Sequence, residues 1–272
     1  MRVPVMPMQL PRLFRAQQHL DLQPDLREWF TGDLGRYLRT EEERLLGCLL
    51  PDLFGYHALQ IGRVVPDNLL ANCRIRHRCI VDTDRPDVDG LSPLRAHPEQ
   101  LPLGKDSIDL VFLHHGLDTA SSPHALLREA ARVLIPEGHL VIVGFNPWSL
   151  WGLWRLFRLP RAAPLPWLRR PLSPQRLADW LTLLDFEVVG LEGVCFGPPL
   201  TSAGLRRRFA WLEGLGRRFW GQAGASYVLL ARKRVSCLTP VEMRRRTLYP
   251  APAPLLVTEA RVRRWMMEND RE

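Results

Sequence analysis

Lysine is nearly missing from this 272-residue sequence: of 37 basic residues, only Lys105 and Lys233 are lysine. The net charge of +8 is therefore arginine charge. Such a bias reads first as the mark of a GC-rich genome rather than of a ligand. The charge is also uneven: 16 basic residues face 19 acidic ones in 1–146, 6 face 4 in 147–200, and 15 face 6 in 201–272. A basic last third can hold nucleic acid or an anionic membrane. Arg244, Arg245 and Arg246 nevertheless read as solvated, and nucleic acid is the weakest of the partner readings. Cysteine is scarce. Cys48, Cys73, Cys79, Cys195 and Cys237 are odd in number, widely spaced and without a CxxC pair. That argues against a disulfide scaffold and a structural cysteine–zinc site, and no metal site is read. A reducing cytoplasm fits best. No run of 18 apolar residues exists, so nothing reads as membrane-spanning. Met1 to Phe14 lacks a continuous apolar stretch and reads as no signal peptide. Internal repeats are missing too.

What is present is an alternation of strands and helices. Residues 1–30 read as a flexible leader. A helix follows from about Asp33 to Leu50, with Thr31 or Asp33 as its cap and leucines on one face. His57–Gly62, Cys79–Asp82, Asp109–His114 and His139–Phe145 read as strands. Pro123–Leu134 and Pro174–Leu184 read as helices with proline in the first turn. Phe186–Leu191 and Ala225–Arg234 read as the last two strands. Residues 235–272 form a basic tail with one short helix near 258–267. This order implies an α/β fold with a doubly wound, mostly parallel sheet.

One block is informative beyond pattern. Leu101-Pro-Leu-Gly-Lys-Asp-Ser-Ile-Asp-Leu-Val-Phe112 is followed by a helix carrying Ala125-Leu-Leu-Arg-Glu-Ala-Ala-Arg-Val-Leu134 and the strand Leu140-Val-Ile142. It resembles the type-11 class of S-adenosylmethionine (SAM)-dependent methyltransferases over about 40 residues, enough to call a family motif specific. Leu53-Phe-Gly-Tyr-His57, Gly144-Phe-Asn-Pro-Trp-Ser149 and Leu181 to Val188 resemble a bacterial branch of that class. The resemblance implies a Rossmann-like class I methyltransferase domain over 31–234, with SAM as cofactor. It further implies Gly62 as the cofactor-side glycine, Gln60 where the class has an acid, and Asp82, or Asp84, as the ribose acid. His97 and Glu99 fall on the adenine side. His114, His115 and Asp118 fall at the end of the fourth strand, where catalysis is expected. Because neighbouring strand residues point to opposite faces, at most one of the two histidines is expected to meet the substrate.

The sequence also departs from that class. The second and third loop glycines are replaced near Val64 and Pro66. Only about 46 residues separate Gly62 from the next-but-one strand, too few for two full βαβ crossovers. The front-half helices are therefore expected to be trimmed. Downstream, Trp148, Trp151 and Trp154 recur at intervals of three beside Arg155 and Arg158. That segment is a lid or core helix on the sheet, a lipid-facing surface or a partner surface. Two functions follow: methyl transfer to a small or lipid-like acceptor, or a retired methyltransferase fold serving as a binding module, each in the cytoplasm or at the inner membrane face. The Asn-Pro-Pro-Tyr-type motif of base methylation does not occur.

Overall fold

Period-two alternation sorts the strand residues onto two covered faces. In the computed structural model, which describes residues 23–83, 88–157, 172–200, 204, 208–219 and 221–234, seven strands form one sheet. They are β1 (His57–Ile61), β2 (His77–Asp82), β3 (Ser92–Arg95), β4 (Ile108–His114), β5 (Leu134–Phe145), β6 (Phe186–Val194) and β7 (Ser226–Lys233). Their order is β3-β2-β1-β4-β5-β7-β6. Every neighbouring pair is parallel except those made by β7. This is the doubly wound, Rossmann-like arrangement expected from the sequence.

Leu110 and Phe112 of β4 and Val141 and Val143 of β5 face one core, which is closed by α1 (Gln23–Thr31) and α2 (Asp33–Leu49). Val111 and Leu113, with Leu140 and Ile142, face the other. Helices α4 (Pro123–Val133) and α6 (Pro174–Leu183) cover that side. Two covered faces explain the unbroken apolar runs. Each fully buried Leu or Phe contributes about 1.5–3 kcal/mol. Ser122 caps α4 and Ser173 caps α6, each followed by proline at the first helical position. Helix α2 differs from expectation: Gly32 precedes it and no side chain caps it.

The family-like block acquires a physical reason here. Glu129 and Arg132 of α4 hold the Leu101–Leu103 loop: Leu101 N–H donates to Glu129, and Arg132 donates to the carbonyls of Leu101 and Leu103. Asp109 accepts the backbone N–H groups of Tyr56 and His57 and so fixes the entry of β1.

Three regions depart from the sequence reading. The leader expected over 1–30 is helical from Gln23, because Leu26 and Phe30 are buried in the first core. The two helices pack so closely that a Cβ on Gly35 would lie 2.4 Å from the Trp29 carbonyl oxygen. Second, β3 appears where no periodicity was visible. It is four residues long and lies at the sheet edge, where Pro93 costs no ladder bond. Third, α7 (Ala210–Phe219) was not anticipated, and Gly214 and Gly216 obscure its pattern. The front half is trimmed as expected: among the described residues between β1 and β4 there is no α-helix. No helix of the described residues is long and apolar enough to cross a membrane. Residues 1–22, Asp84, Arg158 and the tail with its expected helix lie outside the described residues.

Candidate functional site

In this topology ligands bind beyond the carboxyl ends of the strands, where the order reverses, which here lies between β1 and β4. The residues gathered there come from β1, β2, β4 and the two N-terminal helices. Gly62 follows β1 with φ of 83°, a left-handed conformation that glycine adopts without strain. Its N–H donates to the Val81 carbonyl, 2.8 Å away, which ties it to β2. Gln60 is buried. Its amide N–H donates to the Gly62 carbonyl at 3.2 Å, and its Oε1 is buried without a partner. Asp82, ending β2, is also buried and accepts the Arg27 guanidinium at 2.7 Å. Arg27 Nε donates to the Arg63 carbonyl as well, so α1 straps across the ends of β1 and β2.

The second group lies at the end of β4. His115 adopts φ of 51° and terminates the strand. That turn overrides strict alternation, so His114 and His115 converge rather than diverge. His114 Nε2 lies 3.0 Å from Glu42 Oε2, and His115 Nε2 lies 3.1 Å from Glu42 Oε1. His115 Nδ1 meets Asp118 at 2.9 Å, and Asp118 also accepts the Phe145 N–H. All four side chains are buried. Burial alone would push the His115 pKa down, but the Glu42 charge and the Asp118 and Glu42 hydrogen bonds overcome it and hold it up at about 9. Burial pushes the His114 pKa down despite its bond to Glu42. Burial also opposes ionisation of Glu42, yet the two imidazoles hold its carboxyl well below the usual range. His115 is thus enclosed by two carboxylates, one at each ring nitrogen.

The remaining sequence candidates lie elsewhere. His97 is exposed, and its Nδ1 accepts the Glu99 N–H. Glu99 is committed to the start of α4, where it accepts the Ser121 hydroxyl and the Ser122 N–H. Trp148 is 78% exposed, whereas Trp151 packs against the first core and donates its indole N–H to the Gly197 carbonyl. The side chains of Trp154 and Arg155 lie outside the described residues.

Sequence reading missed Glu42 and Arg27. Glu42 had a signal: it lies on the leucine face of α2, between Leu38 and Leu45. A lone acid on an apolar stripe asks for a buried partner. Arg27 had none, because its helix was taken for leader.

Residues 75–142 match the family model described as a methyltransferase domain. Over that quarter of its length the chain is similar to a type-11 methyltransferase domain. It is 38% identical over 160 residues to the uncharacterized protein YafS of Escherichia coli (strain K12), a match covering 58% of this chain and 65% of that protein. Among solved structures, a SAM-dependent methyltransferase from Thermotoga maritima superposes with a TM-score of 0.55 at 19% identity, covering 78% of this chain and 98% of that one. A chain from the complex of the Haloferax volcanii Trm112 methyltransferase activator with a methyltransferase gives 0.53 at 16% identity, covering 79% and 98%. These two likenesses bear on the fold. The domain class implies SAM as the cofactor.

Proposed function

We propose that this chain transfers a methyl group from SAM to an apolar, lipid-like acceptor, with the cofactor held at the ends of β1 and β2. The gathering of Gly62, Asp82 and the unpartnered Gln60 Oε1 at the switch in strand order carries this reading. The residues fit the cofactor at these three points. Gly62 lets a ligand approach bare backbone. Asp82 supplies a carboxylate able to accept from a ribose diol. Gln60 Oε1 is a buried acceptor suited to an ammonium group. On the adenine side exposed His97 is the candidate, since Glu99 is committed to α4. When bound, SAM supplies an electrophilic methyl group on a sulfonium.

The chain's own work is alignment and exclusion of water, which is most of what methyl transfer requires. Helix α1 and the rings of Trp29, Phe30 and Phe145 form the apolar cover. His114, His115 and Asp118 form the wall beneath and do not themselves reach the acceptor. The Arg27–Asp82 ion pair favours a second reading, a retired fold whose ribose acid is permanently engaged by α1. Calorimetric titration with SAM and with S-adenosylhomocysteine separates the two. Micromolar binding, about −8 kcal/mol, supports the enzyme. No heat and no thermal shift at millimolar ligand supports the retired fold. In the first case Gly62→Arg is expected to abolish binding. A side chain at this left-handed position costs about 1–2 kcal/mol of stability, so the circular dichroism spectrum stays native. Unchanged affinity would remove Gly62 from the site.

The acceptor reading rests on a groove of about 480 Å³ lined by Pro147, Trp148, Leu153, Phe196, Leu212 and Leu215. It opens just beyond Phe145, whose ring lies 4.2 Å from His115. Trp148, which lines it, is 78% exposed, and Trp211, next to the lining residue Leu212 in the sequence, is 62% exposed, as are the interfacial aromatics of membrane-surface proteins. Replacing both by serine is expected to lower co-sedimentation with anionic liposomes at least several-fold and leave the melting temperature unchanged. Trp151→Ser is expected instead to lower the melting temperature, because Trp151 lids the core. A parent protein that ignores liposomes ends the membrane-surface reading.

A further inference from the structure

We propose that Glu42, His114 and His115 bind one divalent transition-metal ion, zinc by the chemistry of the donors. The inference stands apart from the cofactor reading. The donor atoms of these three side chains all lie within 4.8 Å of one another. Both carboxylate oxygens of Glu42 participate, one toward each imidazole Nε2, at 3.0 and 3.1 Å. Donors around a four-coordinate zinc with ordinary Zn–N and Zn–O bonds stand about 3.3 Å apart, so small shifts seat the ion. Two imidazoles and a carboxylate suit zinc and its first-row neighbours.

Two further observations point to an ion. First, Asp118 lies behind His115 at 2.9 Å and accepts from Nδ1. This carboxylate-behind-histidine arrangement fixes the tautomer and turns the Nε2 lone pair toward the metal. Asp118 is itself oriented by the Phe145 N–H. Second, the cluster suits a divalent cation. Two carboxylates and two imidazoles share one fully buried cluster, and the rings of Phe30, Phe112 and Phe145 pack against the imidazoles. A divalent cation with two neutral imidazoles balances both carboxylates. The site is closed and lies between α2 and the end of β4. The ion's role is to pin that helix to the sheet, beneath the α1 strap.

The 272-residue chain is unfolded with chelator and refolded with or without one equivalent of Zn²⁺ or Co²⁺. One ion per chain is expected to survive gel filtration. The melting temperature should rise by at least about 5 °C, and the Co²⁺ form should absorb in the visible as low-coordinate cobalt does. Glu42→Gln and His114→Gln should lose the ion, and His97→Ala should keep it. Because the first two variants can fail to fold, the parent chain decides. A parent that retains no ion and melts identically with and without Zn²⁺ overturns the proposal. So does an ion retained equally by folded Glu42→Gln.

Discussion

Replacing Glu42 by alanine is expected to destabilise the fold by about 3–5 kcal/mol, the usual consequence of removing one partner from a buried charge cluster. Two fully buried imidazoles depend on this one carboxylate, and each contacts a different oxygen of it. Without it His115 keeps only Asp118, and His114 loses its sole described partner. The lost side chain also leaves a gap between α2 and β4. For a domain of this size each kcal/mol shifts the midpoint by about 2–4 °C, so the melting temperature should fall by roughly 6–20 °C. Glu43→Ala, one position along and partly exposed, is the control and should stay within about 1 kcal/mol. Urea denaturation of the three proteins at neutral pH checks the comparison. A loss below 1 kcal/mol for Glu42→Ala would mean that the cluster does not hold α2 in place.

The second large effect is a pair of opposite signs. Asp82→Ala is expected to weaken SAM binding about 10- to 150-fold, the worth of a hydrogen bond to a charged group at about 1.5–3 kcal/mol. Arg27→Ala is expected to strengthen it several-fold. The strap removes Asp82 from the ligand, and a site that is only partly open loses apparent affinity in that proportion. Calorimetry on both variants and the parent reads the two shifts together. Equal affinities in all three would place the ribose away from Asp82. If the parent binds nothing while Arg27→Ala binds, the strap is the reason for silence and the site beneath it is intact.

How much of this was legible in the sequence varied by element. The strands other than β3 and the helices α2, α4 and α6 were readable because their apolar residues repeat at short range and their ends carry local signals, such as Ser122-Pro123 and Ser173-Pro174. The block from Leu101 to Ile142 was readable because Glu129, Arg132 and Asp109 each serve contacts that the fold requires. Gly62, Asp82, His114 and His115 could be placed at strand ends for the same reason.

What they touch could not be read. Helix α1 has a weak local pattern, and only the cavity it fills makes Leu26 and Phe30 core residues. Trp148 and Trp151 sit in one spacing series, yet one faces solvent and the other the core. The sequence by itself determined a doubly wound sheet, its trimmed front half and the strand ends where a ligand belongs, because these follow from periodicity and length. Only the tertiary structure decided that Arg27 lies on Asp82 and that Glu42 joins two histidines 72 and 73 positions away. Neither pairing can be read locally, even though Glu42 stands out on its leucine face, because each is made by helices folding back over the sheet, and the left-handed turn at His115 brings together two side chains that alternation would have parted.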